Sequence, residues 1–237
     1  MASFRTTEEL LAWIVDFFAV EFGAHAILKG GMAMRLLQSP RYTNDVDYVF
    51  IPYQSKNDIK SLIDSKLKQV KGLEYKTTLS SKAMSILVSY GEQSAQIEIS
   101  VQKECPSIVA STTLLSSPYG MTPRVVRIMS LPVSFAHKLA AWNERRLMRD
   151  LYDIYQYATA MKIQPDSSTL KSRLVKPRAY RNVQPAKSIT SLKHDLNTVA
   201  NSLTEDSLLE LVPLLPESEL AGLSLRMQIA LRRLFSN

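Results

Sequence analysis

The stretch from Leu28 to Phe50, LKGGMAMRLLQSPRYTNDVDYVF, narrows the fold of this chain more than any other. Asp45 and Asp47 alternate with the apolar residues Val46 and Tyr48, and Pro52 comes shortly after. In an extended strand residues i and i+2 share a face, so the spacing predicts a strand over Val46 to Ile51 with two carboxylates side by side at its start. Like charges a few ångströms apart repel unless a cation or a shared proton lies between them, and hard oxygen ligands favour Mg²⁺ or Mn²⁺. Upstream, Gly30 and Gly31 end a short apolar run and open a helical turn. Adjacent glycines let a backbone approach a ligand closely and aim N–H groups at it, which suits phosphate. The stretch therefore reads as a divalent metal and a nucleoside triphosphate held on one small sheet.

At 237 residues the chain can bury a substantial core, as one domain with an appendage or as two small domains. No apolar run reaches the ~18 residues of a membrane span. Met1 to Glu9 lacks a basic-then-apolar export pattern. The single cysteine, Cys105, excludes an intramolecular disulfide and a Cys-rich zinc site. A cytoplasmic location without membrane attachment is the expectation. The net charge of +7 is unevenly spread: residues 121–195 hold 14 Lys/Arg against 5 Asp/Glu, whereas residues 1–120 hold 12 of each. A local excess of this kind attracts polyanions, with nucleic acid as the leading partner and a solvated basic face as the alternative.

Thr6 with Glu9 suggests a capping box, leading into a helix to about Gly23. His25 to Lys29 reads as a strand, Gly30-Gly31 as a turn and Met32 to Gln38 as a brief helix broken by Pro40. Asn57 to Val70 has helical spacing; Leu73 to Thr78, Met84 to Tyr90 and Ala95 to Val101 read as strands, the last two joined across Gly91, and Val125 to Met129 as one more. From Val133 to about Met161 the pattern is helical, as is most of the sequence beyond Met161. The order predicts an α+β chain with a small mixed sheet in an N-terminal lobe, residues 1–125, and a basic helical lobe, residues 126–237, the boundary falling within 116–132.

A two-metal phosphoryl-transfer site usually needs a third carboxylate. Glu98, in AQIEISV, is placed for it, with Glu92 and Glu104 as substitutes and a solvent-facing Glu98 as the bland reading. Within Phe135 to Tyr157, one continuous helix would gather Leu147, Leu151, Ile154 and Ala158 on one face and Lys138, Arg145, Arg149 and Asp153 opposite. Facing water, that stripe would pair Arg149 with Asp153; facing a metal site, Lys138 would neutralise a triphosphate, and Asp150 or Asp153 would orient its basic partners.

Three runs in order, G-G-x-A-x-R-L from Gly30 to Leu36, R-x-T-x-D-x-D from Arg41 to Asp47, and the later HKLAAW and RDLYDIY, resemble the AbiEii/AbiGii-type nucleotidyltransferases. These are toxin components of bacterial type IV toxin-antitoxin and phage-defence systems within the polymerase-β-like nucleotidyltransferase superfamily. The resemblance covers residues from about 25 to 160. It implies a polymerase-β-like N-terminal lobe and transfer of a nucleotidyl group from an NTP with Mg²⁺ or Mn²⁺. Some members of the family add nucleotides to tRNA 3′ ends and so block translation; an RNA acceptor, foremost tRNA, and a cognate antitoxin are the partners implied. By motif match, Asp45 and Asp47 are metal ligands, Gly30 and Gly31 contact the triphosphate, Lys138 is the family lysine, and Asp150 or Asp153 is the acid of its R-D-x-x-D motif.

On this reading Glu98 joins the metal ligands and helps deprotonate an acceptor 3′-hydroxyl. Lys138, Arg145 and Arg149 stabilise the departing pyrophosphate, with Arg35 and Asp153 alongside as nucleotide-binding residues. The basic run Lys171, Arg173, Lys176, Arg178, Arg181 and Lys187 would track RNA, with Tyr180 stacking on a base. Two alternatives remain: a small-molecule, antibiotic-type nucleotidyltransferase, which the basic second lobe disfavours, and a catalytically inactive nucleotide- or nucleic-acid-binding relative.

Overall fold

A computed structural model describes residues 4–81, 83–178, 180 and 182–234. The chain divides into two compact units, the first ending at Met129 and the second beginning at Ser130. No helix among the described residues is long and apolar enough to cross a membrane.

The first unit opens with α1 (Thr7–Phe22). The Thr6 side chain accepts a hydrogen bond from the Glu9 N–H. Glu9 does not complete the box, because its carboxylate accepts from the Arg5 N–H instead. Next in chain order come β1 (Ala26–Lys29), α2 (Gly30–Leu36), β2 (Asp45–Phe50), α3 (Lys56–Leu67), β3 (Glu74–Leu79), β4 (Met84–Tyr90), β5 (Gln93–Val101), β6 (Ser107–Ser111), α4 (Thr113–Ser116) and β7 (Val125–Met129). The glycine pair expected to form a turn before a helix instead supplies the first residues of α2.

All seven strands form one mixed sheet in the order β3-β4-β5-β2-β1-β7-β6. β2 lies between β5, to which it is parallel, and β1, to which it is antiparallel. Val46, Tyr48 and Phe50 are buried along β2, while Asp45 and Asp47 are half-buried on its other face. α1 covers the apolar face: the Phe18 ring stacks on Tyr48 at 4.6 Å between centroids and meets Phe50 edge-on. Burying an aromatic side chain of this size stabilises by roughly 1.5–3 kcal/mol. Because side chains alternate with a period of two, a one-residue slip would drive both aspartates under α1. The hydrophobic face thereby fixes the carboxylate face.

The second unit is helical among its described residues: α5 (Leu131–Arg145), α6 (Met148–Thr159), α7 (Ser167–Val175), α8 (Ile189–Ser202), a 3₁₀ segment (Asp206–Leu214), α9 (Glu217–Leu220) and α10 (Leu223–Arg233). Trp142, Tyr152, Phe135, Leu139 and Leu151 are among its core. The single helix expected from Val133 to Met161 is two helices, broken at Arg146 and Leu147. Arg146 adopts φ +54°, a left-handed conformation costing a side-chain-bearing residue about 1–3 kcal/mol unless its surroundings hold it there. Its guanidinium lies 4.2 Å over the Trp142 ring and pairs with Asp195. One local contact and one tertiary contact thus accompany a break that neither Gly nor Pro announces.

Candidate active site

In the first unit the sheet register assembles the carboxylates. Asp47 of β2 stands opposite Glu98 of β5 on one side and Lys29 of β1 on the other. Lys29 Nζ donates to Asp47 Oδ1 at 3.2 Å. Thr43 Oγ1 donates to Asp45 Oδ1 at 2.5 Å, and Gln96 Nε2 donates to Glu98 Oε1 at 2.9 Å. Partial burial raises the proton affinity of Glu98 above its ordinary value, Asp47 raises it further, and Lys29 partly offsets both. Of the three glutamates proposed from sequence, Glu98 is the one beside Asp47; Glu92 lies in the exposed turn before β5 and Glu104 is exposed beyond it.

Both glycines are required by space, and Gly30 by conformation as well. Gly30 has φ +70°, and a Cβ there would lie 2.2 Å from Asp47 Oδ2. At Gly31 a Cβ would lie 2.9 Å from both Thr43 Oγ1 and Arg41 Nη2. The start of α2 thus runs against the Asp47 carboxylate of β2 and the buried side chains of Arg41 and Thr43. Arg35, on the same helix, donates to Glu8 Oε1 at 2.9 Å and sits over the Tyr42 ring.

Asp45, Asp47 and Glu98 carry oxygens of the kind that a hard divalent cation takes, an ammonium lies on Asp47, and backbone without a side chain borders Asp47 Oδ2. Among the described residues, no three His, Cys, Asp or Glu side chains close on one point as a finished cage. Lys29, Thr43 and Gln96 were not singled out in the sequence. Lys29 directly precedes the glycine pair and Thr43 sits within the R-x-T-x-D-x-D run, but only cross-strand pairing shows what Lys29 touches.

In the second unit Lys138 of α5 reaches across to α6, lying 2.6 Å from Asp153 Oδ2 and 3.7 Å from Asp150 Oδ1. Arg145 grips Asp150 with two bonds, Nε to Oδ2 at 2.5 Å and Nη2 to Oδ1 at 2.7 Å. Both aspartates are fully buried, and two cations balance two anions. A buried carboxylate is tolerable only when so paired. The cationic stripe expected on one helix is therefore corrected: Lys138 and Arg145 belong to α5, Asp150 and Asp153 to α6, and Arg149 is exposed while Asp153 takes Lys138. The helix break invalidates the single angular phase on which that expectation rested.

The basic run is divided. Lys171, Lys176, Arg178, Lys187 and Tyr180 are exposed. Arg173 instead donates to Glu144 Oε1 at 3.0 Å and contacts His137, and Arg181 lies outside the described residues. A cavity of about 490 Å³ between α6 and α10 is lined by Tyr155, Lys162, Arg226, Ile229 and Arg233, among others; it contains none of the catalytic, metal-binding or nucleotide-binding candidates named from the sequence.

The fold is similar to two solved Helicobacter pylori structures. One is the crystal structure of JHP933, 17% identical with a TM-score of 0.57 over 98% of this chain and 93% of that one. The other carries a provisional description as a nucleotidyltransferase, 16% identical with a TM-score of 0.55 over 96% and 92%. No curated protein matches the sequence. The family profile described as nucleotidyl transferase AbiEii toxin, type IV toxin-antitoxin system, matches residues 14–228, which include both carboxylate clusters. The chain belongs to the AbiEii nucleotidyltransferase toxin family.

Proposed function

We propose that this toxin-family member transfers a nucleoside monophosphate from an NTP to an RNA 3′-hydroxyl, foremost that of tRNA, and thereby blocks translation until an antitoxin counters it. The observation that carries the proposal is the cross-strand row Lys29, Asp47, Glu98 with Asp45 beside it, bordered by Gly30. A divalent ion, Mg²⁺ or Mn²⁺, held by Asp45 and Asp47 with Glu98, would neutralise the triphosphate and polarise the α-phosphorus toward attack.

In the step proposed, the acceptor 3′-oxygen bonds to the α-phosphorus, the bridging α–β P–O bond breaks, and pyrophosphate departs. Glu98, the cross-strand neighbour of Asp47, is the residue we assign to take the hydroxyl proton. The backbone at Gly30 and Gly31 can approach phosphate oxygens without a side chain in the way. In the second unit we take Lys138, with Asp150 and Asp153 fixing its orientation and Arg145 holding Asp150, as the phosphate-binding residue that the family resemblance implies. The exposed cations Lys171, Lys176, Arg178 and Lys187, with the exposed Tyr180 ring, supply phosphate contacts and a stacking surface for RNA.

The test is incubation with Mg²⁺, each α-labelled NTP in turn and total bacterial tRNA, alongside Asp47→Asn. Label on RNA with the native chain and not with the variant supports the proposal and names the nucleotide. Label on small acceptors alone replaces RNA by the small-molecule reading. Transfer to neither acceptor class would favour an inactive relative.

A further inference from the structure

We propose that Lys29 is the resident counter-cation of the carboxylate site, that a divalent metal binds by displacing its ammonium from Asp47, and that the released ammonium then serves the phosphates of the nucleotide. This inference rests on the metal-site reading above.

Four observations support it. Lys29 is the last residue of β1 and the direct cross-strand partner of Asp47, so its stem starts beside the carboxylates. Its Nζ touches Asp47 through Oδ1 alone, at 3.2 Å, while Oδ2 turns toward Gly30. Asp47 is its one ion-pair partner among the described residues, and its side chain is 29% exposed, so a rotation about its flexible stem can carry the charge away. Its charge also reaches Glu98, where it opposes the effect of Asp47.

Lys29, with the buried Arg41 beside Thr43, thus stands against three carboxylates, leaving a net attraction for further positive charge. A divalent ion and Lys29 cannot both occupy the same face of Asp47 without repelling each other, so metal entry is an exchange rather than an addition. Removing the ammonium should tighten metal binding, since the competitor is gone. The same change should weaken nucleotide binding, since the charge released toward the phosphates is gone as well. A merely structural Lys29 would not move these two affinities in opposite directions.

The experiment titrates Mn²⁺ into the full-length chain and monitors free Mn²⁺ by electron paramagnetic resonance, for the native protein, Lys29→Met, Lys29→Gln, Lys29→Arg and Asp47→Asn. ATP, GTP, CTP and UTP affinities are measured separately at saturating Mn²⁺. Circular dichroism confirms that each variant is folded, and the Gln variant stands in if Met disrupts the strand. We expect native binding that Asp47→Asn abolishes, binding about 10-fold tighter in Lys29→Met or Lys29→Gln, near-native binding in Lys29→Arg, and nucleotide affinity about 10-fold weaker in the uncharged variants. Unchanged or weaker Mn²⁺ binding in both uncharged variants would overturn the exchange while leaving the metal site standing. Absence of Mn²⁺ binding to the native chain, or its persistence in Asp47→Asn, would overturn the metal-site reading and the exchange with it.

Discussion

Gly30→Ala separates two costs that the structure makes distinguishable. Gly30 has φ +70°, where a side chain costs roughly 1–2 kcal/mol. The added Cβ would also meet Asp47 Oδ2 at 2.2 Å, Cγ at 3.0 Å and the Asp47 Cβ at 3.2 Å. Real Cβ contacts stay above 3.0 Å, so the contact must open by 0.8 Å (3.0 less 2.2), and the nearby Asp47 Cβ means that turning the carboxylate is not sufficient. Crowding of this kind adds about 1–3 kcal/mol. Gly91, at φ +59°, provides the control, because a Cβ there meets nothing within 4 Å. Gly91→Ala should therefore lose about 1–2 kcal/mol from backbone strain alone. Gly30→Ala should lose about 2–5 kcal/mol, a Tm drop of roughly 4–20 °C for a chain of this size. Urea unfolding midpoints measure the stability difference, and label transfer from an α-labelled NTP measures the site. Gly30→Ala should also lose most transfer activity, because the shift moves the Asp47 carboxylate out of its row with Glu98; Gly91→Ala should keep it. Equal stability losses and equal activities in the two variants would refute the claim that Gly30 is set against Asp47.

Asp150→Ala removes the shared partner of Arg145 and Lys138 and should destabilise by about 3 kcal/mol or more in urea unfolding, whereas Arg149→Ala, at an exposed position, should stay within about 0.5 kcal/mol. Similar losses for both would argue against the α5–α6 charge pairing. Asp166 caps α7 and accepts from Thr169 and Ser168, which hold its pKa down at about 2. Its contribution is present above its unfolded value of 3.8 and is lost as pH falls through about 2, so Asp166→Asn should flatten the native stability profile between pH 4 and 2. An unchanged acid limb would contradict that assignment. Asp47→Asn should lower nucleotidyl transfer about 100-fold or more while moving the unfolding midpoint by no more than about 1 kcal/mol, because the Lys29 pair it breaks is partly exposed. A large stability loss would mean that Asp47 is chiefly structural.

Much of the first unit was legible in the sequence because its strands are one-sided. DVDYVF alternates, so the carboxylate and aromatic faces could be assigned before any partner strand was known. The aromatic face then finds α1, whose N-cap at Thr6 was also readable. β6 escaped notice because it is a short edge strand with Ile108 and Val109 exposed and no alternation to detect. Lys29 escaped because its significance is cross-strand: 18 positions separate it from Asp47, and only the β1–β2 register brings them together. The α5–α6 cluster was found by residue type but given the wrong geometry. A local helical projection cannot foresee that Arg146 will be held in a left-handed turn by Trp142 and Asp195. That turn folds α6 back along α5, which lets Asp153 meet Lys138 rather than Arg149.

The most direct measurement of the central claim runs α-labelled and γ-labelled forms of each NTP side by side with tRNA, using intact tRNA and tRNA whose 3′ end has been oxidised by periodate, with native protein and Asp47→Asn. The account predicts that the α-label, and never the γ-label, appears on intact tRNA, that oxidation of the 3′ end abolishes it, and that Asp47→Asn does not transfer it. Transfer of the γ-label, undiminished labelling of oxidised tRNA, or full activity in Asp47→Asn would contradict nucleotidyl transfer to an RNA 3′-hydroxyl at this site.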